Sequence, residues 1–363
     1  MKIGYFIRNL GVSGGVKVVL QHVRLLRASG HDAVLITENV RQAWELHEDP
    51  IIILDRGLAD TPYCDVYVGT VYSDVKRLYE AKKGKLVHLC QGYEPLDYLA
   101  RIKGESITER YQRKGFFSFF ERQLDILKFR KRIRKIESVY RLPTIKAAVS
   151  KYLVELIGTK FGNGCAFIQN GIDLNVFHPD ARRKWGENGK IRLLSVGSMH
   201  VACKKISDTL DAVRVLKEKK IPVEFVRVSG GPPSVLEKES GLVDTFYTGL
   251  SENEMAELYR TTDIFISSSL EGEGFGLPPI EAMASGVPSI LTEIPAYRSF
   301  CENKNFAYFV PTHRPDRIVE GVLALSEDNA LRQGYIERGF VVAKSHSLER
   351  TRLDLAHFFE EWI

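Results

Sequence analysis

The sequence predicts an α/β protein made of two doubly wound, Rossmann-like domains whose parallel sheets face each other across a cleft. Short apolar runs alternate with segments of helical apolar spacing, which is typical of a parallel sheet covered by helices on both faces. The alternation stops at a polar, glycine-containing segment, residues 182–190, and then starts again. A chain of 363 residues is long enough for about two domains.

The first domain opens with an apolar run at residues 2–7, which predicts a buried strand. A loop of small residues follows at 11–15, and helical spacing extends over residues 16–28. A second strand at residues 32–37 completes a β-loop-α-β unit. Such a unit implies parallel strands joined by a right-handed crossover.

Further apolar runs extend this first sheet. They predict strands at residues 51–54, 65–69, 85–89, 145–150 and 165–169. We therefore predict an N-terminal domain over residues 1–180, with a basic insertion at about 101–141.

A second series of the same kind predicts a C-terminal domain over residues 191–345. It begins with a strand at residues 191–196 and a helix at 206–217. Its other predicted elements are strands at 223–228, 264–267 and 289–291 and helices at 253–260 and 278–284. The remaining residues, 346–363, are predicted to form a helix that returns to the N-terminal domain.

Cysteine usage and hydropathy indicate a cytoplasmic protein. The five cysteines are scattered, and they form no Cys-x-x-Cys pair, so we expect neither a disulfide framework nor a zinc site. No apolar run approaches the ~20 residues that a membrane span requires. The short apolar start of the chain does not resemble a signal peptide.

The predicted basic insertion carries most of the positive charge. Residues 101–141 contain thirteen Lys or Arg and five Asp or Glu, whereas the whole chain has a net charge of +5. The aromatic run at 116–120 precedes a basic run at 130–135, and an amphipathic helix of this composition would lie on an anionic membrane surface. The alternative is an insertion whose phenylalanines pack on the domain. No nucleic-acid motif accompanies the charge, so we do not expect a nucleic-acid partner.

The segment 267–288 is the most informative part of the sequence. It begins at the end of a predicted strand, and the glycines after Glu273 allow the backbone to approach a ligand. Pro278 and Pro279 suit the first turn of a helix, where we also expect Glu281. The backbone N–H groups that would form an anion site there belong to Phe275, Gly276 and Leu277.

Two carboxylates beside an anion site suit a ligand that carries both phosphates and hydroxyls. Carboxylates accept hydrogen bonds from the vicinal diols of a sugar or a ribose. A nucleotide sugar has a diol at each end and a diphosphate between them. The alternative is that Glu281 only stabilises the start of the helix and that Glu273 lies on a solvated loop.

This segment resembles the E-x7-E signature of glycosyltransferase family 4, whose members have the GT-B fold and retain anomeric configuration. The resemblance implies that Glu273 is catalytic and holds the transferred sugar. It implies that Glu281 binds the ribose of the nucleotide. It further implies that the backbone between them holds the diphosphate.

Other segments carry the same resemblance. Residues 169–179 resemble the family's "NGVD…F.P" segment, and residues 246–254, which include Leu250, resemble the loop that meets the nucleobase. Gly14 and Gly15, with Gly11, resemble its N-terminal glycine loop.

Residues 197–205 resemble the loop that grips the diphosphate. Lys204 is retained, and Lys205 beside it could share the role. The usual arginine of this loop is replaced by Ser198, which implies a weaker grip or another cation in its place.

A further departure follows the strand predicted at 85–89. Many family members place a histidine there, whereas this chain has Gln91, and His88 is expected to be a core residue of the strand. Together with residues 70–73, the string Gln-Gly-Tyr-Glu resembles a subgroup that includes rhamnosyltransferases of bacterial surface-polysaccharide assembly. Gln91 is therefore a catalytic candidate, and Tyr93 and Glu94 are candidates for contact with the acceptor.

The resemblance implies transfer of a hexosyl or deoxyhexosyl group from a nucleotide diphosphate sugar to a glycan or lipid-linked acceptor. No cofactor is expected beyond this substrate. No metal is expected either, because the chain has no Asp-x-Asp pair that could hold a diphosphate-bound cation. Two alternatives stay open: a nucleotide-sugar 2-epimerase of the same layout, and a non-catalytic nucleotide-sugar binder, which Ser198 and Gln91 would suit.

Overall fold

The computed structural model describes residues 1–11, 13–40, 49–103, 117–162, 164–180 and 185–363, without the side chains of 117–121. The aromatic run predicted to contact a membrane therefore lies outside the described side chains. The chain divides into two compact units. The first consists of Met1–Gly11, Gly15–Ile168 and Asp354–Ile363, and the second of Gln169–Leu353 with Ser13 and Gly14.

The first unit is built on a seven-stranded, entirely parallel sheet. Its strand order is β5-β3-β1-β6-β7-β8-β9. The strands are β1 (Lys2–Phe6), β3 (Asp32–Thr37), β5 (Ile51–Ile53), β6 (Val66–Gly69), β7 (Lys85–Cys90), β8 (Ile145–Ala148) and β9 (Cys165–Phe167). Two short strands, β2 (Asn9–Leu10) and β4 (Asn39–Val40), form a separate parallel pair.

Helices connect these strands as the sequence predicts for a doubly wound sheet. They are α1 (Gly14–Ala28), α2 (Tyr72–Glu80), α3 (Pro95–Lys103), α4 (Phe117–Tyr140) and α5 (Lys151–Phe161). Helix α1 packs on the sheet through Val19, Val23 and Leu26, whose helical spacing predicted it.

The C-terminal residues Asp354–Ile363 pack within the first unit. Phe358 and Phe359 are buried, and the ring of Phe359 lies 6.0 Å from that of His31. The ammonium group of Lys85 donates a hydrogen bond to the terminal residue Ile363. These contacts join the end of the chain to β7 and to the start of β3.

The second unit has a six-stranded parallel sheet in the order β12-β11-β10-β13-β14-β15. The strands are β10 (Ile191–Val196), β11 (Val223–Ser229), β12 (Thr245–Thr248), β13 (Ile264–Ser267), β14 (Ser289–Thr292) and β15 (Tyr308–Val310). The helices are α6 (Ile206–Glu218), α7 (Val235–Glu239), α8 (Glu252–Arg260), α9 (Leu277–Ala284), α10 (Pro295–Arg298), α11 (Pro315–Glu327) and α12 (Asn329–Lys344). The last helix, α13 (Leu348–Glu361), begins in this unit and ends among the residues of the first.

The core of the second unit explains its apolar strands. Leu193, Phe225 and Ile264 are fully buried on three neighbouring strands. Side chains of α6 and α11, including Val213 and Val322, complete the same cluster. Because helices cover the sheet, its strands are nearly continuous hydrophobic runs, which made them recognisable in the sequence.

The segment that begins the second unit is held by backbone contacts around Gly171. The amide of Ile172 donates to the carbonyl of His346 at 2.9 Å, and the amide of Leu348 donates to the carbonyl of Ile172 at 3.2 Å. A Cβ atom on Gly171 would lie only 2.5 Å from the carbonyl oxygen of Ser347. The two backbone segments therefore approach each other so closely at Gly171 that a side chain is excluded.

We expect Gly171→Ala to destabilise the protein by about 1–3 kcal/mol, because the new methyl group forces these two segments apart. The measurement is the melting transition by scanning calorimetry. Gly231→Ala is the matched control, since a Cβ atom there has no neighbour within 4 Å. Equal stability of the two variants would contradict this account of Gly171.

Candidate functional site

Glu273 lies on the loop between β13 and α9, and its carboxylate is the centre of a polar network. Its Oε2 atom lies 2.5 Å from the ammonium nitrogen of Lys204 and accepts a hydrogen bond from the hydroxyl of Ser269 at 3.2 Å. The hydroxyl of Ser267 lies 3.2 Å from that of Ser269 and 2.7 Å from that of Tyr297. This chain of hydroxyls fixes the glutamate at the carboxyl end of β13.

The charges of this pair are partly shielded from water. The side chains of Lys204 and Glu273 are 21% and 11% exposed. Burial acts to lower the pKa of Lys204, but the neighbouring Glu273 carboxylate outweighs it and raises the pKa above its ordinary value. The ammonium group is therefore charged at neutral pH. Burial raises the pKa of Tyr297, which remains a neutral hydrogen-bonding group.

The loop after β10 brings Lys204 to this position. Gly197 has a φ of 135°, and a Cβ atom there would lie 3.1 Å from the Cγ atom of Lys204. The absent side chain thus makes room for the lysine stem. The amide of Leu270 donates to the carbonyl of Cys203 at 2.7 Å, and the hydroxyl of Ser268 donates to the carbonyl of Lys205 at 2.8 Å. The loops after β10 and β13 are therefore tied together.

Helix α9 starts at Leu277, four residues after Glu273, and the preceding Gly276 determines where it begins. Gly276 is the N-cap, with a φ of 102°, and a Cβ atom there would lie 2.5 Å from a ring carbon of Tyr297. The side chains of Phe275 and Leu277 are buried, so these residues offer a ligand their backbone groups. The first N–H groups of a helix have no partner within the helix and favour an anion.

Glu281 lies further into α9 than the sequence predicts. The helix begins at Leu277, so Glu281 is its fifth residue, and the first turn contains no acidic residue. The expectation that it lies in the first turn is wrong, because the left-handed Gly276 places the N-cap earlier. The carboxylate is buried and accepts a hydrogen bond from the hydroxyl of Tyr259 at 3.1 Å.

The remaining candidates of the second unit are less closely joined to this network. The ammonium group of Lys205 lies 3.7 Å from the carboxylate of Asp208, one turn along α6. Burial raises the pKa of this aspartate, and Lys205 acts against that shift. Leu250 lies half-buried in the loop between β12 and α8. The structure therefore joins Lys204, rather than Lys205, to Glu273.

In the first unit the structure brings Gln91 and Gly15 together. Gln91 follows β7, and its Nε2 atom donates to the carbonyl of Gly15 at 3.0 Å. A Cβ atom on Gly15 would lie 2.9 Å from the amide oxygen of Gln91. Gly14 and Gly15 are the first residues of α1. The glutamine side chain therefore holds the start of this helix.

Tyr93, predicted as a candidate for acceptor contact, is a buried residue of the first unit. Tyr93 is 2% exposed, its hydroxyl donates to Glu137 at 2.7 Å, and its ring packs edge-on against Tyr140. The reason is that α4 covers this side chain.

The Glu94 carboxylate is likewise occupied. It accepts hydrogen bonds from the hydroxyl of Tyr140 and, at 3.1 Å, from the amide of Tyr72. Burial raises the pKa of Glu94. This carboxylate joins α2 to α4 and is not directed to a ligand by any of these bonds.

His88 is a core residue, as the sequence predicts. It is fully buried in β7, and its ring lies 4.6 Å from that of Tyr140. Burial lowers the pKa of His88 to about 3. The side chain is therefore neutral throughout the physiological range.

Three residues of the Glu273 network, Ser267, Ser269 and Tyr297, were not among the site candidates predicted from the sequence. Ser269 had a usable signal, since three serines in succession follow an apolar strand. Within the described residues, no group of three or more His, Cys, Asp or Glu could hold a metal ion. In the same part of the chain, no helix is long and apolar enough to cross a membrane.

The fold is that of the GT-B glycosyltransferases, with two units each built on a parallel sheet. The structure resembles sucrose-phosphate synthase from Thermosynechococcus elongatus, with a TM-score of 0.75, 15% identity, and 99% and 98% of the two chains covered. It also resembles Anabaena HepE, solved with UDP-glucose, with a TM-score of 0.72, 14% identity and 99% of each chain covered.

Residues 190–328, which include Lys204 and both glutamates, match the family described as glycosyl transferases group 1. This match confirms the predicted resemblance to glycosyltransferase family 4. The phosphatidyl-myo-inositol mannosyltransferase of Mycobacterium tuberculosis is 25% identical over 186 residues, which are 49% of each chain. The chain spans about half the length of the curated relatives it matches.

We expect acidification to destabilise the wild-type protein more than the variant His88→Gln. The pKa of His88 is lowered in the folded state, so its neutral form contributes stability that is fully present above pH ~6.5 and is lost as the pH falls towards 3. Between pH 7 and pH 5 the wild type should lose about 1–2 kcal/mol more than the variant. Chemical denaturation at both pH values measures the free energy of unfolding. The control is His200→Gln, which replaces an exposed histidine. Equal losses of stability in the wild type and in His88→Gln would refute the prediction.

Proposed function

We propose that this chain is a retaining glycosyltransferase that transfers a hexosyl or deoxyhexosyl group from a nucleotide diphosphate sugar to a glycan or lipid-linked acceptor. The observation that carries the proposal is the contact between Lys204 and Glu273 beside the start of α9. A cation, a carboxylate and a helix start suit the phosphates and hydroxyls of one nucleotide sugar. Retention of configuration rests on the resemblance to family 4.

The Lys204–Glu273 pair suits a donor that separates the two charges. A diphosphate oxygen can take the place of Glu273 at the ammonium group of Lys204. The released carboxylate can then accept hydrogen bonds from the hydroxyls of the transferred sugar. As the bond to the sugar breaks, negative charge grows on the diphosphate, and Lys204 together with the start of α9 stabilises it.

Glu281 suits the other end of the donor. Tyr259 fixes its buried carboxylate by a hydrogen bond, so the acceptor atoms for a ribose diol are held in one orientation. The backbone around Leu250 would meet the nucleobase. Because these groups lie in one unit, we assign donor binding to the second unit.

The relatives support the donor and the acceptor class. One is named as a mannosyltransferase acting on a phosphatidyl-myo-inositol, and a structural neighbour is solved with UDP-glucose. A non-catalytic binder is the second candidate, since Ser198 replaces the usual arginine and Gln91 is bonded to Gly15. A 2-epimerase of the same fold would release nucleoside diphosphate without needing an acceptor.

A panel of nucleotide sugars tests the proposal by thermal shift and by turnover. The cognate donor should raise the melting temperature, because a ligand at about 100 Kd adds ~2.7 kcal/mol to the free energy of unfolding. Glu273→Gln should reduce turnover at least ~100-fold, because the amide loses the charge that pairs with Lys204 and binds the sugar. Glu271→Gln, in the same loop, is the control. Unchanged turnover in Glu273→Gln would exclude the assigned role, and turnover without any acceptor would favour the epimerase.

We further propose that α4 contacts an anionic membrane surface, which would bring a lipid-linked acceptor to the enzyme. Leu124 and Leu127 are 57% and 60% exposed. Lys128 and Lys131 are exposed at positions that share this helix face by the i, i+3, i+4, i+7 rule. The leucines of this face would enter the lipid interface, while the long side chains of the lysines would reach the anionic headgroups.

The double variant Leu124→Glu/Leu127→Glu should lose most of its binding to vesicles of anionic phospholipid, because it removes apolar contact and adds repulsion. Co-sedimentation measures the bound fraction. Wild-type binding should weaken at high salt and on neutral vesicles, since each basic residue contributes about 1 kcal/mol near an anionic surface. Val341→Glu, which replaces an apolar side chain that is 67% exposed on α12, is the control. Equal binding of the double variant and the wild type would rule out this face.

A further inference from the structure

A fully buried ion pair lies beneath the candidate site in the second unit. Arg227, on β11, is completely buried, and its Nε atom donates to the Oε1 atom of Glu237 at 3.1 Å. The side chain of Glu237 is 2% exposed. A charged pair is costly to bury, and hydrophobic residues would often serve stability as well. Stability alone therefore gives a weak reason for an arginine here.

The other nitrogens of Arg227 are directed at the loop that carries Lys204. One donates to the carbonyl of Ser195 and another to the carbonyl of Gly197, each at 2.5 Å. These carbonyls belong to the end of β10 and to the first residue beyond it. The planar guanidinium presents its donors in a fixed geometry, which a lysine ammonium does not. Arg227 thus determines where the chain leaves β10.

Gly197 transmits this constraint to Lys204. Its amide donates to the carbonyl of Val228 at 2.9 Å, so both its amide and its carbonyl are bonded to β11 residues. The stem of Lys204 packs where a Cβ atom of Gly197 would lie. A shift of the Gly197 turn would therefore displace the lysine from Glu273.

Glu237 extends the connection to the loop after β11. Its Oε2 atom accepts hydrogen bonds from the amide and the hydroxyl of Ser234, both at 2.8 Å. The hydroxyl of Ser234 in turn accepts from the amide of Glu237, which completes a capping box at the start of α7. One buried pair consequently joins the loops after two adjacent strands, both at the carboxyl edge of the sheet.

We propose that Arg227 is a positioning residue for the diphosphate of the donor, acting through the Gly197 turn on Lys204. The inference rests on the proposed function. The resemblance to family 4 leads us to expect an arginine at position 198, where this chain has Ser198. Binding of the diphosphate therefore depends on the accurate placement of Lys204. Because Glu237 neutralises Arg227, the contribution of the buried guanidinium is geometric and not a direct attraction of phosphate.

The test removes both buried charges at once. In Arg227→Met/Glu237→Gln no unpaired charge is left in the core, so the variant should fold. We expect its Kd for nucleoside diphosphates, measured with UDP and GDP by calorimetry, to rise at least tenfold. The KM for the cognate donor should rise likewise and kcat should fall, because Lys204 also stabilises the charge that grows on the leaving diphosphate, while the KM for the acceptor changes much less. If the Kd and the donor KM of this double variant equal those of the wild type, the proposal is overturned.

Two further variants separate positioning from stability. Arg227→Lys keeps the charge but loses the forked geometry, and we expect a several-fold rise in the same Kd with the protein folded; an unchanged Kd would overturn the proposal even if the double variant fails to fold. Arg332→Met removes another buried arginine of this unit, which donates to the carbonyl of Leu325 at 2.6 Å. Arg332→Met should lower the melting temperature without changing the Kd. If its Kd rises as much as that of the Arg227 variants, the effect of Arg227 is one of general stability and the positioning role is overturned.

The wild-type protein distinguishes this inference from the proposed function. Binding of UDP or GDP without turnover of any donor would contradict the transferase, while the Kd values would still decide the role of Arg227. If the wild type binds no nucleoside diphosphate, both proposals fail. If the wild type turns over a donor and the variant Arg227→Met/Glu237→Gln has the wild-type Kd for nucleoside diphosphates, only the positioning role of Arg227 is refuted.

Discussion

The contact between Lys204 and Glu273 is the interaction on which the rest of the candidate site depends. The two residues follow two neighbouring parallel strands, so their loops emerge at the same edge of the sheet. Side chains that are little exposed attract each other more strongly than the same charges in bulk water. The pair therefore stabilises the two loops in the absence of a ligand and keeps both charges beside the start of α9.

Several features that look unrelated in the sequence serve this one contact. Gly197 leaves room for the lysine stem, and Gly276 leaves room for the ring of Tyr297. Tyr297 is then bonded through two serines to Glu273. Glycine is required at both positions because each combines a positive φ with a crowded approach. A methyl group at either glycine would disturb the same carboxylate or its cationic partner.

The sequence predicted the repeated strand-helix alternation because buried parallel strands are predominantly apolar. It did not predict β12 and β15, which lie at the two edges of the second sheet and are only partly buried. The spacing of Glu273 and Glu281 could be recognised in the sequence. The position of Glu281 within α9 could not be predicted, because Gly276 determines where the helix begins. The burial of Tyr93 was not predicted, because its covering helix, α4, is distant in sequence.

Gln91, which follows β7, departs from the family pattern, and its contacts give a physical reason for the departure. The family resemblance leads us to expect a histidine there, whose charge would change near neutral pH. Gln91 has no charge to lose, and its amide group donates to the carbonyl of Gly15. The hydrogen bond that holds the start of α1 is therefore independent of pH. In this chain the position serves to hold a glycine loop, and the charges proposed to act on the donor all lie in the second unit.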